Sequence, residues 1–203
     1  MNKWHFINFK IKWDKKFPVN NFFVDLIIID LIIYPLLEIF KQNLILWRIH
    51  RSATEDGHIL RFIFYTSPEI AKDIYKNMQG IKSYALVKEN YLEEIIQQEG
   101  SQDIEGAGDG SWPKEINRVW PYYIMGVSTM FLELIKEIKE SIADGVKESG
   151  TEKYYKEIEK KIDELWLKYG CHSFIHHLSA VVGYKPIVAQ VRAIDNNLGG
   201  VIF

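Results

Sequence analysis

Alternating apolar and polar positions predict a β-strand near the start of the chain, from Trp4 to Trp13. The odd-numbered positions there are mostly apolar, which is the two-residue period of a strand with one buried face. Asn20 or Asn21 is suited to cap the helix that follows. That helix, Phe22 to Phe40, has the apolar character of a membrane span, but it holds carboxylates, and Pro35 predicts a kink or a break. A buried core helix is therefore the favoured interpretation.

The next segment predicts a hairpin and a second helix. Leu44–Arg51 and His58–Thr66 are strand-like runs, and the polar turn Ser52–Gly57 between them indicates a hairpin with a loop of about six residues. Ser67-Pro68 is typical of a helix start. A fourth strand is predicted over Ile81–Val87. The resulting order, β-α-β-β-α-β, predicts an α+β fold of the ferredoxin-like pattern.

The second half of the chain is predicted to be helical. Glycines and acids in 100–110 indicate a mobile loop or a boundary. Helical periodicity follows over 112–142, where Pro121 predicts a kink or a division, and over 151–169, where Gly170 is suited to end the helix. Further elements are predicted over 171–182 and 186–193. We therefore expect an α+β sheet subdomain (1–99), a glycine-rich loop (100–111) and a mostly helical subdomain (112–203), packed as one unit.

Composition is that of an ordinary globular protein. The 203 residues are 47% hydrophobic and 26% charged, with a formal net charge of −2. So balanced a charge gives no overall field to attract nucleic acid, and no such partner is expected. The single cysteine, Cys171, rules out a disulfide within the chain and is typical of a reducing compartment, so a cytoplasmic location is expected. The phosphate-loop and dinucleotide motifs are missing, and no cofactor is expected.

Basic residues gather on the predicted hairpin: Arg48, His50, Arg51, His58 and Arg61. Strand alternation places Arg48 and His50 on one face of their strand and Arg51 on the other, while Arg61 lies on the face opposite His58. Two arginines of neighbouring strands that point at one cavity bind a carboxylate in fork geometry. The alternative is a set of solvent-facing charges or ion pairs with nearby acids, namely Glu55, Asp56 and Glu69.

Three histidines, His172, His176 and His177, lie in the predicted late helix. His172 and His176 share a helix face, but a metal site needs further ligands that no spacing supplies. One histidine acting as general acid or base is favoured over a metal site, and capping or core histidines are the remaining alternative. The aromatic residues around Trp120 and Tyr123 form either a pocket wall or part of the core.

Several segments together resemble one family, the thiopeptide-type bacteriocin biosynthesis domain, which is also the C-terminal elimination domain of lantibiotic dehydratases. The resemblance is carried by the strand with Trp4 and Phe6, by Asp30 and Tyr34-Pro35-Leu36-Leu37, by Leu46-Trp47-Arg48-Ile49, by Gly57-His58-Ile59-Leu60-Arg61-Phe62 and by His172-Ser173-Phe174-Ile175-His176-His177. Ile63 stands where the family has a second arginine of its strand, and Ala180-Val181-Val182 stands where the family has Asn-Arg. A non-catalytic relative therefore stays an open alternative.

The resemblance implies an enzyme of peptide natural-product maturation that eliminates glutamate from glutamylated Ser or Thr, or performs a related reaction. It implies that Arg48 and Arg61 hold the glutamyl carboxylate and that His176 transfers the proton. Four further residues are assigned to substrate binding: His58, Arg51, His172 and Tyr123. No metal ligand is assigned.

The expected partner is a precursor peptide or a partner modifying enzyme, and a homodimer is an open alternative. No membrane span is expected. Two other functions remain open, a non-catalytic interaction module of a larger enzyme and a histidine-based metal-binding protein.

Overall fold

A four-stranded antiparallel sheet, packed with helices, forms the centre of the computed structural model, which describes residues 1–13, 21–54, 57–176 and 181. The predicted α+β class is confirmed. The strands are β1 (Lys3–Ile11), β2 (Leu46–Thr54), β3 (Gly57–Thr66) and β4 (Leu92–Glu99). The α-helices are α1 (Phe22–Ile28), α2 (Tyr34–Phe40), α3 (Pro68–Gly80), α4 (Tyr84–Tyr91), α5 (Lys114–Ser141), α6 (Asp144–Lys147) and α7 (Thr151–Leu165). Ile29–Ile33 and Trp166–His176 are π-helical, and Lys41–Asn43 and Ile104–Ala107 are short 3-10 helices.

The strand order is β2-β3-β1-β4, and the two faces of the sheet differ in how they are covered. The first face carries Ile7, Phe9, Phe62 and Phe64, which are fully buried in the main core together with α1 and α2. The second face carries a smaller cluster, Trp4, Leu46 and Ile63. Because side chains alternate along a strand, these two sets follow directly from the sequence pattern.

The apolar segment 22–40 is a buried helix, as predicted, and Pro35 does not break it. Instead the helix widens into the π-helical turn Ile29–Ile33, where the Tyr34 N–H donates to the Ile29 carbonyl, and Pro35 lies in the first turn of α2. A proline ring clashes with the carbonyl four residues earlier in an α-helix, and we attribute the wider turn to relief of that clash. Across the described residues, no helix combines the length and the apolarity that crossing a membrane requires.

The predicted fourth strand is wrong. Residues 84–91 form α4, and the strand follows at Leu92–Glu99. The sequence of β4, LEEIIQQE, is rich in acids and amides that are rare in central strands. It pairs only with β1 and so lies at an edge of the sheet, where charged side chains face water and discourage pairing with another chain.

The hairpin turn is tighter than predicted. The ladder between β2 and β3 continues to the pair Thr54 and Gly57. The prediction of a loop of about six residues is therefore wrong. Gly57 has a φ of 131°, a conformation that favours glycine. Ser67 caps α3 as predicted, because its hydroxyl accepts a hydrogen bond from the Ile70 N–H at 3.4 Å.

The helical half differs from the prediction at Pro121, expected to kink or divide a helix, and at Gly170, expected to end one. Pro121 lies inside α5, which is not divided there, and the chain continues through Gly170 in the π-helical segment Trp166–His176 rather than ending. Asn20, the helix predicted beyond residue 176 and the element predicted over 186–193 lie outside the described residues. The chain separates into two compact units, Met1–Ile162 and Asp163–Phe203.

The glycine-rich segment 100–110 lies within the first unit and contacts the second face of the sheet. The indole Nε1 of Trp4 donates to the carbonyls of Asp103 and Ile104 at 3.1 and 3.2 Å. The Tyr65 hydroxyl donates to the Gln102 carbonyl at 2.7 Å. These bonds tie the segment to one end of that face.

A nearly buried carboxylate, Asp30, joins three helical segments. It lies in the π-helical turn and accepts hydrogen bonds from Lys139 Nζ of α5 at 2.6 Å to each oxygen and from the Tyr155 hydroxyl of α7 at 2.5 Å. Burial, followed by the charge of Asp30, raises the pKa of Tyr155. The phenol therefore stays protonated and donates to the carboxylate.

Replacing Tyr155 by Phe is expected to lower the free energy of unfolding by about 1 to 2 kcal/mol, because a hydrogen bond to a charged group is lost while the ring still packs. Urea unfolding followed by circular dichroism measures the loss. Tyr154→Phe is the matched control, since the Tyr154 hydroxyl makes no hydrogen bond to a described residue. Equal losses in the two variants would contradict the role given to the Asp30 contact.

Candidate functional site

Three basic side chains lie together on the second face of the sheet, and we call them the basic face: Arg48, His50 and Arg61. In the β2–β3 ladder His50 lies directly opposite Arg61, and Arg48 lies opposite Ile63. Because every second residue shares a face, Arg48 and Arg61 are diagonal neighbours, close enough for long side chains to meet. The register thus brings together the two arginines that the sequence pairs.

The charges of the basic face act on one another. Burial lowers the pKa of Arg48, and the positive charge of Arg61 lowers it further. Loss of hydration lowers the pKa of His50, followed by the charges of Arg48 and Arg61. His50 is consequently a neutral imidazole near pH 7 and able to accept a proton, while the arginines remain charged. An anion bound here would relieve the repulsion between the guanidinium groups.

The basic face is flanked by a polar side chain of β1 on one side and by helix α5 on the other. Asn8 lies opposite Arg61 on β1, is buried, and donates from Nδ2 to Gln98 Oε1 at 3.0 Å. At the other side, α5 lies along β2, where the Ile49 N–H donates to the Ser128 hydroxyl at 3.1 Å. That bond satisfies an N–H group that a free sheet edge would expose.

Arg51 and His58 lie on the first face and meet a buried acid, Asp25 of α1. Arg51 Nε donates to Asp25 Oδ2 at 2.6 Å, and His58 Nε2 lies 2.8 and 3.0 Å from the two oxygens of that carboxylate. Asp25 and His58 have no exposed side-chain surface. These two basic residues therefore belong to a hydrogen-bonded network around Asp25, and the register separates them from Arg48 and Arg61.

Asp25 is the residue that sequence reasoning missed. In the sequence it counts only as a charge that makes a membrane span unfavourable. The available signal was its position in a helix that is otherwise apolar, because a buried carboxylate requires a basic partner. The acids considered as partners in the sequence were others; Glu55 and Asp56 lie outside the described residues.

Of the other predicted site residues, Tyr123 belongs to the first unit. Tyr123 is an exposed residue of α5 whose ring packs against Trp120 at 5.5 Å. His172 is exposed and belongs to the second unit, as does His176, of which only the backbone is described. His177 lies outside the described residues. The meeting of His176 with the arginines therefore stays a prediction.

Within the described residues, no group of three or more His, Cys, Asp or Glu side chains is arranged to hold a metal ion. Comparisons of the chain with protein-family models, with curated proteins and with solved structures find no match. The geometry of the side chains is thus the basis on which a function is proposed.

The pKa of His50 is expected to lie below its ordinary value of 6.5 and to rise when Arg48 is replaced by Gln, because a neighbouring positive charge is removed. An NMR titration of the imidazole carbon-bound protons measures both values. Lys10→Gln, a change on β1 whose charge is paired with Glu93 at 3.0 Å, is expected to leave the midpoint unchanged. An unchanged titration midpoint of His50 in the Arg48→Gln variant would show that Arg48 and His50 do not interact.

Proposed function

We propose that this protein binds a carboxylate-bearing peptide side chain on the basic face and eliminates glutamate from glutamylated Ser or Thr of a precursor peptide. One observation carries the proposal: Arg48 and Arg61 lie on neighbouring strands and on one face, beside a neutral imidazole. Guanidinium groups offer paired N–H donors that match a carboxylate. The resemblance to elimination domains supplies the reaction.

The elimination requires two functions that this arrangement supplies. A base removes the Cα proton of the modified residue, and the electron pair of that C–H bond becomes the Cα–Cβ double bond. The Cβ–O bond then breaks, and its electrons leave with the glutamate as a carboxylate. Arg48 and Arg61 stabilise the leaving carboxylate, because they hold positive charge where negative charge develops.

Two imidazoles are candidates for the base. His50 lies opposite Arg61 and has a lowered pKa, which favours the proton-accepting form. His176 is the residue that the resemblance proposes. Separate variants of the two histidines assign the role.

The proposal includes a ferredoxin-like topology for residues 1–99 and a cytoplasmic location, where precursor peptides are made. The element order β-α-β-β-α-β and the sheet order β2-β3-β1-β4 support this topology. In this arrangement one sheet face packs on helices, and the peptide lies on the part of the other face that carries the basic residues.

A second candidate function, a non-catalytic interaction module, is favoured by the surface of α5. Its N-terminal half exposes apolar side chains at helical spacing, namely Ile116, Val119, Tyr122 and Tyr123. Clustered exposed apolar residues are typical of protein contacts. Such a module needs no carboxylate binding at Arg48 or Arg61, so the two functions respond differently to variants of the arginines.

The test uses a short synthetic peptide that carries a glutamyl ester on one serine. Release of free glutamate and formation of dehydroalanine are followed by mass spectrometry. Arg48→Lys and Arg61→Lys are each expected to slow release by about 10-fold to 100-fold, because a charged hydrogen bond worth about 1.5 to 3 kcal/mol is lost. His50→Gln is expected to retain peptide binding and lose release if His50 is the base.

Arg118→Lys is the matched control, since Arg118 is an exposed residue of α5 that is paired with Glu105. It should release glutamate at the rate of the unaltered protein. Unchanged release in both sheet variants would remove the basic face from the reaction. No release and no binding of the peptide by the unaltered protein would overturn the proposal and favour the interaction module.

A further inference from the structure

A cavity of about 170 Å³ lies on the first face of the sheet, apart from the basic face. It is lined by α1 and the π-helical turn that follows it, by the middle of β2, by β3 and by the middle of α5. Its apolar lining consists of Phe22, Ile29, Ile49, Leu60, Ile124, Val127 and Phe131. Three polar side chains complete the wall: Asp25, Arg51 and Ser128.

Two of the three polar side chains are already occupied within the fold. Both oxygens of Asp25 lie within 3.0 Å of His58 Nε2, and Oδ2 also accepts from Arg51. The Ser128 hydroxyl accepts the Ile49 N–H. Neither group is therefore the main recognition element for a ligand in the cavity.

Arg51 is placed differently, because its hydrogen bonds to described residues all involve Nε. Its Nε contacts Asp25 Oδ2 at 2.6 Å, and its Cζ lies 5.7 Å from the centre of the Phe22 ring. Its two terminal nitrogens make no hydrogen bond to a described residue, and its side chain is 36% exposed. The fixed Nε orients these terminal N–H groups at the cavity, where an acceptor can reach them from solvent.

We infer that this cavity binds a small carboxylic acid, with the apolar tail among the side chains of α1 and α5 and the carboxylate on the terminal nitrogens of Arg51. An apolar cavity of about 150 Å³ accommodates a ligand of benzene size, so the tail has about six carbons. A carboxylate matches the paired N–H groups at the end of Arg51. The site is independent of the proposed elimination, because it uses neither Arg48 nor Arg61.

Hexanoate is the probe, and the ¹H–¹⁵N spectrum of the whole chain is the readout. Saturable shifts are expected at the amides of Ile49, Leu60 and Val127, with a Kd of about 1 mM for so small a ligand. Hexylamine, which has the tail and the opposite charge, and acetate, which lacks the tail, should each bind at least 10-fold more weakly. Equal shifts by hexanoate and hexylamine would overturn the inference, since Arg51 would then play no part in recognition.

Two variants locate the ligand. Val127→Trp fills the cavity and should abolish the hexanoate shifts, while Val119→Trp on the exposed side of the same helix should leave them unchanged. Arg51→Lys retains the positive charge beside Asp25 but loses the fork, and a loss of affinity of about 10-fold is expected. Thermal unfolding verifies that each variant is folded. Full affinity in a folded Val127→Trp variant would overturn the location.

Discussion

The pairing register of β2 with β3 is the constraint on which both candidate sites depend. It sets His50 against Arg61 and Arg51 against Leu60, and so it assigns each guanidinium to one face of the sheet. A slip of one residue would bring Arg51 to the second face, away from Asp25, and would bring Arg48 to the first face. Packing of Trp47 and Ile49 against the main core holds the register, because the slip would turn both side chains away from the first face.

Asp25 and Asp30, two carboxylates of the apolar segment 22–40, constrain how other elements of the first unit pack. Asp25 accepts from β2 and β3 through Arg51 and His58, while Asp30 accepts from α5 and α7 through Lys139 and Tyr155. A buried charge without a partner is strongly unfavourable, so each acid permits only packings in which its partners are present. The acids thereby select one placement of the helices from the many that apolar contact alone would allow.

The parts of the fold that were predicted correctly depend on short-range periodicity, and the wrong parts depend on distant neighbours. The period-two pattern of β1 and β3 and the Ser67 cap are local properties, and the structure confirms them. The polar strand β4 exists because β1 offers it an edge, which no local pattern reveals. In the same way the separation of Arg48 from Arg51 follows from alternation, whereas the pairing of Arg51 with Asp25 joins residues of two distant elements.

The arginines on the two faces of the hairpin have different surroundings. On the first face the buried Asp25 carboxylate accepts from Arg51 Nε, while the terminal nitrogens of Arg51 make no hydrogen bond to a described residue. On the second face, burial and then the positive charge of Arg61 lower the pKa of Arg48, so two positive charges act on one another there. A bound anion would be attracted to both charges, and a cluster of groups with perturbed pKa values is typical of a functional site. This difference is the physical reason for proposing the reaction at Arg48 and Arg61 and a separate binding pocket at Arg51.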